Sequence, residues 1–114
     1  MPVPLYQAKA EFFRTLGHPV RIRVLELLQD GPLPVRDLLA SLDVEASSLS
    51  QQLAVLRRTG IVVSTREGAT VVYALSSDEF VTLLKVARTI LADLISGQEG
   101  LLAELRESDT APSD

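Results

Sequence analysis

The stretch ASSLSQQLAVLRRTGIVVSTREGATVVYAL, residues 46–75, changes its periodicity halfway along, and that change decides the fold. From Ala46 to Thr59, Leu49, Leu53, Val55 and Leu56 recur at helical spacing on one side. The other side carries Ser47, Ser48, Ser50, Gln51, Gln52, Arg57 and Arg58. Gly60 supplies a helix stop. Beyond it, Ile61 to Val63 with Ser64-Thr65-Arg66, and then Thr70 to Leu75, are runs of β-favouring residues flanking Glu67-Gly68-Ala69. The spacing predicts a β-hairpin directly after the helix.

Upstream, Leu5, Ala8, Phe12, Phe13 and Leu16 step by three and four residues until Gly17, which predicts a first helix. Pro19 suits the opening turn of a second, with Val20, Val24, Leu25, Leu27 and Leu28 as its apolar face and Asp30-Gly31-Pro32 as its end. Pro34 sets up a short third helix bearing Val35, Leu38, Leu39 and Leu42. The link Asp43-Val44-Glu45 to the next helix is then about three residues. Downstream, Ser76-Ser77-Asp78-Glu79 is a helix-start signal, followed by a stripe of Phe80, Leu83, Leu84, Ala87, Ile90, Leu91 and Leu94. Leu101, Leu102 and Leu105 resume it after Gly97 and Gly100. The expected organisation is one domain over residues 1–107 and a disordered polar tail over 108–114.

Composition narrows the chemistry. The chain has 114 residues and no cysteine, which excludes disulfides, thiolate metal sites and thiol nucleophiles. Its one histidine, His18, cannot alone build a zinc cage. No phosphate-cradling glycine loop occurs, and no nucleophile sits beside a base, so the chain reads as a non-enzyme. Without a long apolar run or a leader-like N-terminus, it reads as cytoplasmic with no membrane partner. The net charge is −4, but unevenly spread. Residues 46–75 hold three basic side chains and one acidic, whereas residues 76–114 hold three and eight. The segment with the change of periodicity is therefore the one that suits a polyanion.

Two short helices joined by a tight turn and followed by a hairpin make a winged helix-turn-helix, whose second helix can enter a major groove. The fold is expected to be mainly α with a small β-hairpin. Short hydroxyls at Ser47, Ser48 and Ser50 lie at a helix start, where free N–H groups favour phosphate. The Gln51 and Gln52 amides can donate and accept at base edges, while Arg57 and Arg58 neutralise phosphate. At the hairpin tip Arg66 can reach phosphate or the minor groove, Gly68 permits the reversal, and Thr70 adds a hydroxyl. The competing reading is an ordinary solvated helix face.

The stretches Leu16–Leu28, Val35–Leu39, Ser47–Ile61, Arg66–Gly68 and Val72–Leu75 resemble the ArsR/SmtB family of bacterial transcription regulators. The run Ser-Gln-x-Leu-x-x-Leu-Arg-x-x-Gly, starting at Ser50, and the wing pattern Arg-x-Gly followed by Tyr-x-Leu carry the likeness. The resemblance covers about residues 8–95 and implies a homodimer, with the third and fourth helices as the DNA reader. It also implies dimer contacts from the first and last helices, which here offer Leu5, Phe12 and Leu16 together with Phe80, Leu83, Leu84, Ala87, Ile90, Leu91 and Leu94. A two-fold dimer would match a pseudo-palindromic operator. Repression is the commoner outcome in such proteins.

The likeness fails at the sensor sites. Residues 35–42 contain no cysteine and the last helix contains no histidine, so the usual soft-metal and zinc sites are absent. A weakly held cation on Asp93 with Glu99 or Glu104 across a dimer, or on His18, is the metal chemistry left open; solvated carboxylates and a structural imidazole are the ordinary reading. No cofactor is required on this reading. An effector or co-regulator protein would supply the signal. The alternative from a different class is a winged-helix protein-interaction module that uses its acidic C-terminal third.

Overall fold

The computed structural model describes residues 2–110. Their order is α1 (Leu5–Leu16), α2 (Pro19–Leu27), a single 3₁₀ turn (Leu28–Asp30), β1 (Leu33–Pro34), α3 (Val35–Ala40), α4 (Ala46–Arg58), β2 (Val62–Glu67), β3 (Thr70–Leu75) and α5 (Glu79–Thr110). This is the expected mainly helical winged helix-turn-helix, with one strand more than the hairpin.

The chain forms two compact units, one ending at Val81 and the other beginning at Thr82. Among the described residues, all of the buried apolar ones belong to the first. Leu16, Val24, Leu25, Leu28, Leu38, Leu49, Leu53, Leu56, Ile61 and Val62 bring one face of each of α1 to α4 and the start of β2 into a single core. The side chains are almost entirely aliphatic, as expected of a chain with no tryptophan and three phenylalanines.

Each boundary has a local cause. The Gly17 N–H donates to the carbonyls of Phe13 and Arg14 and ends α1. His18 caps α2: its Nδ1 accepts from the Val20 N–H at 3.2 Å, while Pro19 occupies the first turn, where a missing N–H costs nothing. At the end of α4, the Gly60 N–H reaches Arg57 O and the Ile61 N–H reaches Leu56 O, each at 3.0 Å. With Gly60 at φ 79°, this is a Schellman cap, and it delivers Ile61 directly into the core.

In the sheet, β3 is central and antiparallel to both neighbours, in the order β1-β3-β2. The hairpin pairs Val62 with Leu75 through Glu67 with Thr70, leaving a two-residue turn of Gly68 and Ala69. Gly68 stands at φ 65°, which suits the first position of a type II′ turn. The strand β1 pairs Leu33 with Tyr73 and Pro34 with Val72. It was not expected from sequence, since a two-residue strand has no periodicity. Proline nevertheless holds the residue before it extended and tolerates an edge position.

Three boundaries differ from expectation. The connection between α3 and α4 is five residues, 41–45, because α3 stops at Ala40 and leaves Leu42 outside the helix. Gly97 and Gly100 do not interrupt α5, which is one continuous helix. It also runs through Thr110, past the expected domain end at 107; the rest of the expected tail, 111–114, lies outside the described residues. No helix among the described residues is long and apolar enough to cross a membrane.

Candidate nucleic-acid interface

At about 100° per residue, Leu49, Leu53 and Leu56 project from α4 into the core, and all three are buried. The opposite face comprises Ser47, Ser50, Gln51, Ala54, Arg57 and Arg58, every one exposed. Ser48 and Gln52 are half-buried along one flank. Of the helix residues expected to meet DNA, the fold therefore places five outward and turns two aside. Ala54 joins the outward face unforeseen, because an alanine carries no polar signal; its methyl suits contact with a thymine methyl.

The two edges of α4 are tied to different elements. On one, Gln52 Oε1 accepts from Arg21 Nε at 2.8 Å, a half-buried bond to α2. On the other, Arg57 Nη1 lies 3.5 Å from Ser64 Oγ on β2. Among the side chains named from sequence, Gln52 is thus engaged within the protein, while Gln51 keeps both its donor and acceptor free for a partner.

At the wing, Arg66, Glu67 and Gly68 are exposed at the tip. Thr70 is half-buried, and its Oγ1 lies 3.5 Å from Arg36 Nη1. Arg36, exposed on the first turn of α3, borders a cleft with Val35, Ala69, Thr70 and Val71. It is a further cation beside the wing that sequence reading missed, since a lone arginine in a short helix has no pattern around it. A carboxylate pair works against the positive set. Asp43 and Glu45, both exposed, line a shallow groove just before α4 together with Leu39, Val44, Ala46 and Ser48. Their charge offsets the pull of the α4 N-terminus on phosphate.

The residues expected at a subunit interface divide. Leu5 is 69% exposed and Phe12 half-buried, whereas Leu16 packs in the core of the first unit and keeps only 9% of its surface for a partner, a correction to its expected role. Phe80, Leu83 and Leu84 are half-buried, and Ala87, Ile90, Leu91 and Leu94 are exposed. Tyr6 and Phe13 on α1, and Val86, Ile95, Leu101, Leu102 and Leu105 on α5, are exposed as well, beyond the expected set.

For metals, His18 has its Nδ1 engaged in the α2 cap. Asp93, Glu99 and Glu104 are exposed on α5, spaced so that successive members point about 120° and about 140° apart around the helix. Among the described residues, no three His, Asp or Glu side chains come together as a metal-holding group.

The family model described as "Bacterial regulatory protein, arsR family" matches residues 18–64, the span from the α2 cap into β2. An uncharacterised HTH-type transcriptional regulator of Mycobacterium tuberculosis is 47% identical over 95% of this chain and 96% of its own. Its crystal structure superimposes with a TM-score of 0.79, covering 85% of this chain and 98% of that one. A biofilm growth-associated repressor of Agrobacterium fabrum is 35% identical over 79% of this chain and 80% of its own. The transcriptional activator HlyU of Vibrio cholerae is 37% identical over 64% and 68%, respectively. The structure of HlyU gives a TM-score of 0.68 over 77% of this chain and 97% of that one.

Proposed function

The chain belongs to the arsR family of bacterial regulatory proteins, DNA-binding regulators of transcription, and on that premise we propose that it is a homodimeric repressor of a pseudo-palindromic operator. The observation that carries this reading is the outward face of α4, where Ser47, Ser50, Gln51 and Arg58 stand exposed beside a wing tipped by Arg66. Short polar groups suit close approach to base edges, and flanking cations suit phosphate. Gln51 is the base reader, and Ser47, Ser50, Arg57, Arg58 and Arg66 hold the backbone. The side chains of Leu5, Ile90, Leu91 and Leu94, each more than half exposed, support a second copy as their cover. Two recognition helices related by a two-fold axis would meet half-sites about 34 Å apart.

Repression is favoured by kinship with the repressor of Agrobacterium fabrum, although the similar HlyU is an activator. On this reading DNA binding requires no metal: the chain has no cysteine, and its one imidazole, whose Nδ1 caps α2, cannot alone build a metal cage. The controlling signal is then an effector or co-regulator protein, met in the cytoplasm where the DNA lies.

Fluorescence anisotropy with the purified protein tests this, using duplex from the region upstream of its own gene, a scrambled duplex, chelator and added divalent metals. Tight, salt-dependent and selective binding, indifferent to metal, is expected. Absence of any salt-dependent affinity would overturn it in favour of a protein-interaction module.

A further inference from the structure

The guanidinium of Arg21 joins three helices. Its Nη1 donates to the Thr15 carbonyl at 3.1 Å, in the last turn of α1 where intrahelical donors run out. Its Nε donates to Gln52 Oε1 at 2.8 Å, across 31 positions of sequence. Arg21 itself lies on α2, and both it and Gln52 are half-buried. A planar fork with two donors used at fixed angles sets both distance and direction, which a lysine ammonium cannot do.

Gln52 neighbours Gln51 on α4, so whatever turns one turns the other. With side-chain tips about 5 to 6 Å from the helix axis, a rotation of roughly 15° moves a tip by about 1.5 Å. A hydrogen bond to a base edge tolerates only about half an ångström of stretch. The packed leucines of α4 define which face is buried, but aliphatic packing is non-directional and fixes the angle less sharply than a charge-assisted bond.

Resting on the DNA-binding reading above, we infer that Arg21 is a positioning residue for base readout: by holding Gln52 to α2 and to the end of α1, it sets the rotation of α4 that aims Gln51. Gln52 on this account is an internal strut, and operator preference belongs to its neighbour. The contact of Arg57 with Ser64 braces the opposite edge of the helix.

The test uses the full chain with Arg21→Met, Arg21→Lys, Gln52→Leu, Gln52→Glu and the Arg21→Met/Gln52→Leu double variant. An operator is first selected with the wild type from randomised duplex. Thermal melting checks folding, and the ratio of affinities for operator and scrambled duplex is read for each. Arg21→Met and Gln52→Leu are each expected to lower that ratio roughly tenfold, as expected for a bond to a charged group. The double variant should lose no more than the worse single one. Arg21→Lys should not recover the ratio, whereas Gln52→Glu, which keeps an acceptor for the guanidinium, should hold it while weakening both duplexes alike. An unchanged ratio in folded Arg21→Met or Gln52→Leu, or losses that add in the double variant, would overturn the inference alone. Should Arg21→Met not fold, the contrast of Gln52→Leu with Gln52→Glu decides, equal ratios overturning the inference. A wild type that selects no operator removes the DNA-binding reading and this inference with it.

Discussion

The rings of Phe12 and Phe80 lie 6.2 Å apart with their planes inclined by 36°, so the first helix is joined to the opening turn of the last one by an aromatic pair. Phe13, 5.5 Å from Phe12 in an edge-on arrangement, stays 59% exposed. The two adjacent phenylalanines therefore divide between the fold and the surface.

Phe12→Ala should cost about 2 kcal/mol, less than a fully buried ring but more than a surface change. Circular dichroism would show this as a fall in Tm of about 10 °C. Phe13→Ala should shift Tm much less in the isolated chain. Equal effects would mean that the aromatic pair does not hold the two elements.

Gln51→Ala should remove about 1 to 3 kcal/mol of discrimination at one base pair while leaving scrambled duplex almost unaffected. Arg66→Ala should instead weaken every duplex and lower the slope of log affinity against log salt by about one. Anisotropy titrations at several salt concentrations separate the two.

Asp43→Asn with Glu45→Gln removes two exposed negative charges ahead of the recognition helix. DNA affinity should rise roughly fivefold at low ionic strength, and the gain should fade as salt shortens the screening length. A loss of affinity would show that these carboxylates organise the turn instead.

Leu91→Glu places a charge amid the exposed apolar side chains of α5, where Leu91 itself is 57% exposed. Sedimentation velocity should report a single chain, and operator affinity should fall roughly a hundredfold as the two half-sites cease to be held together. A variant that stays dimeric would move the interface elsewhere.

His18→Ala removes the side-chain acceptor from the start of α2 and should cost about 1 kcal/mol, or about 5 °C in Tm. Operator affinity at saturating fold should not change, with or without divalent metal. A metal-dependent loss of binding would return His18 to the sensor candidates.

Much of the architecture is written locally. The leucine spacing of α4, Gly60 at its end, and the valine-rich runs about Gly68 are short-range signals that act within a few residues of themselves. So is the His18-Pro19 start of α2, although the imidazole's role as a cap shows only in the 3.2 Å bond. The absence of cysteine and the scarcity of histidine likewise limit metal chemistry from composition alone.

Tertiary packing decided the remainder. Helical spacing groups Leu5, Phe12 and Leu16 on one stripe, but only the surrounding helices determine that Leu16 is buried and Leu5 is not. The pairing of Leu33 with Tyr73 and the meeting of Arg21 with Gln52 join residues far apart in the chain, through two-residue or single-side-chain features that carry no period. The amino-acid order by itself determined which helix would present polar groups and which hairpin would follow it, because those depend on patterns within one element. The spacing of Leu49, Leu53 and Leu56 already sets Gln51 opposite the core and Gln52 on the flank, whereas the bond that ties Gln52 to Arg21 depended on where α2 lies against α4, a matter of long-range contact that no local pattern encodes.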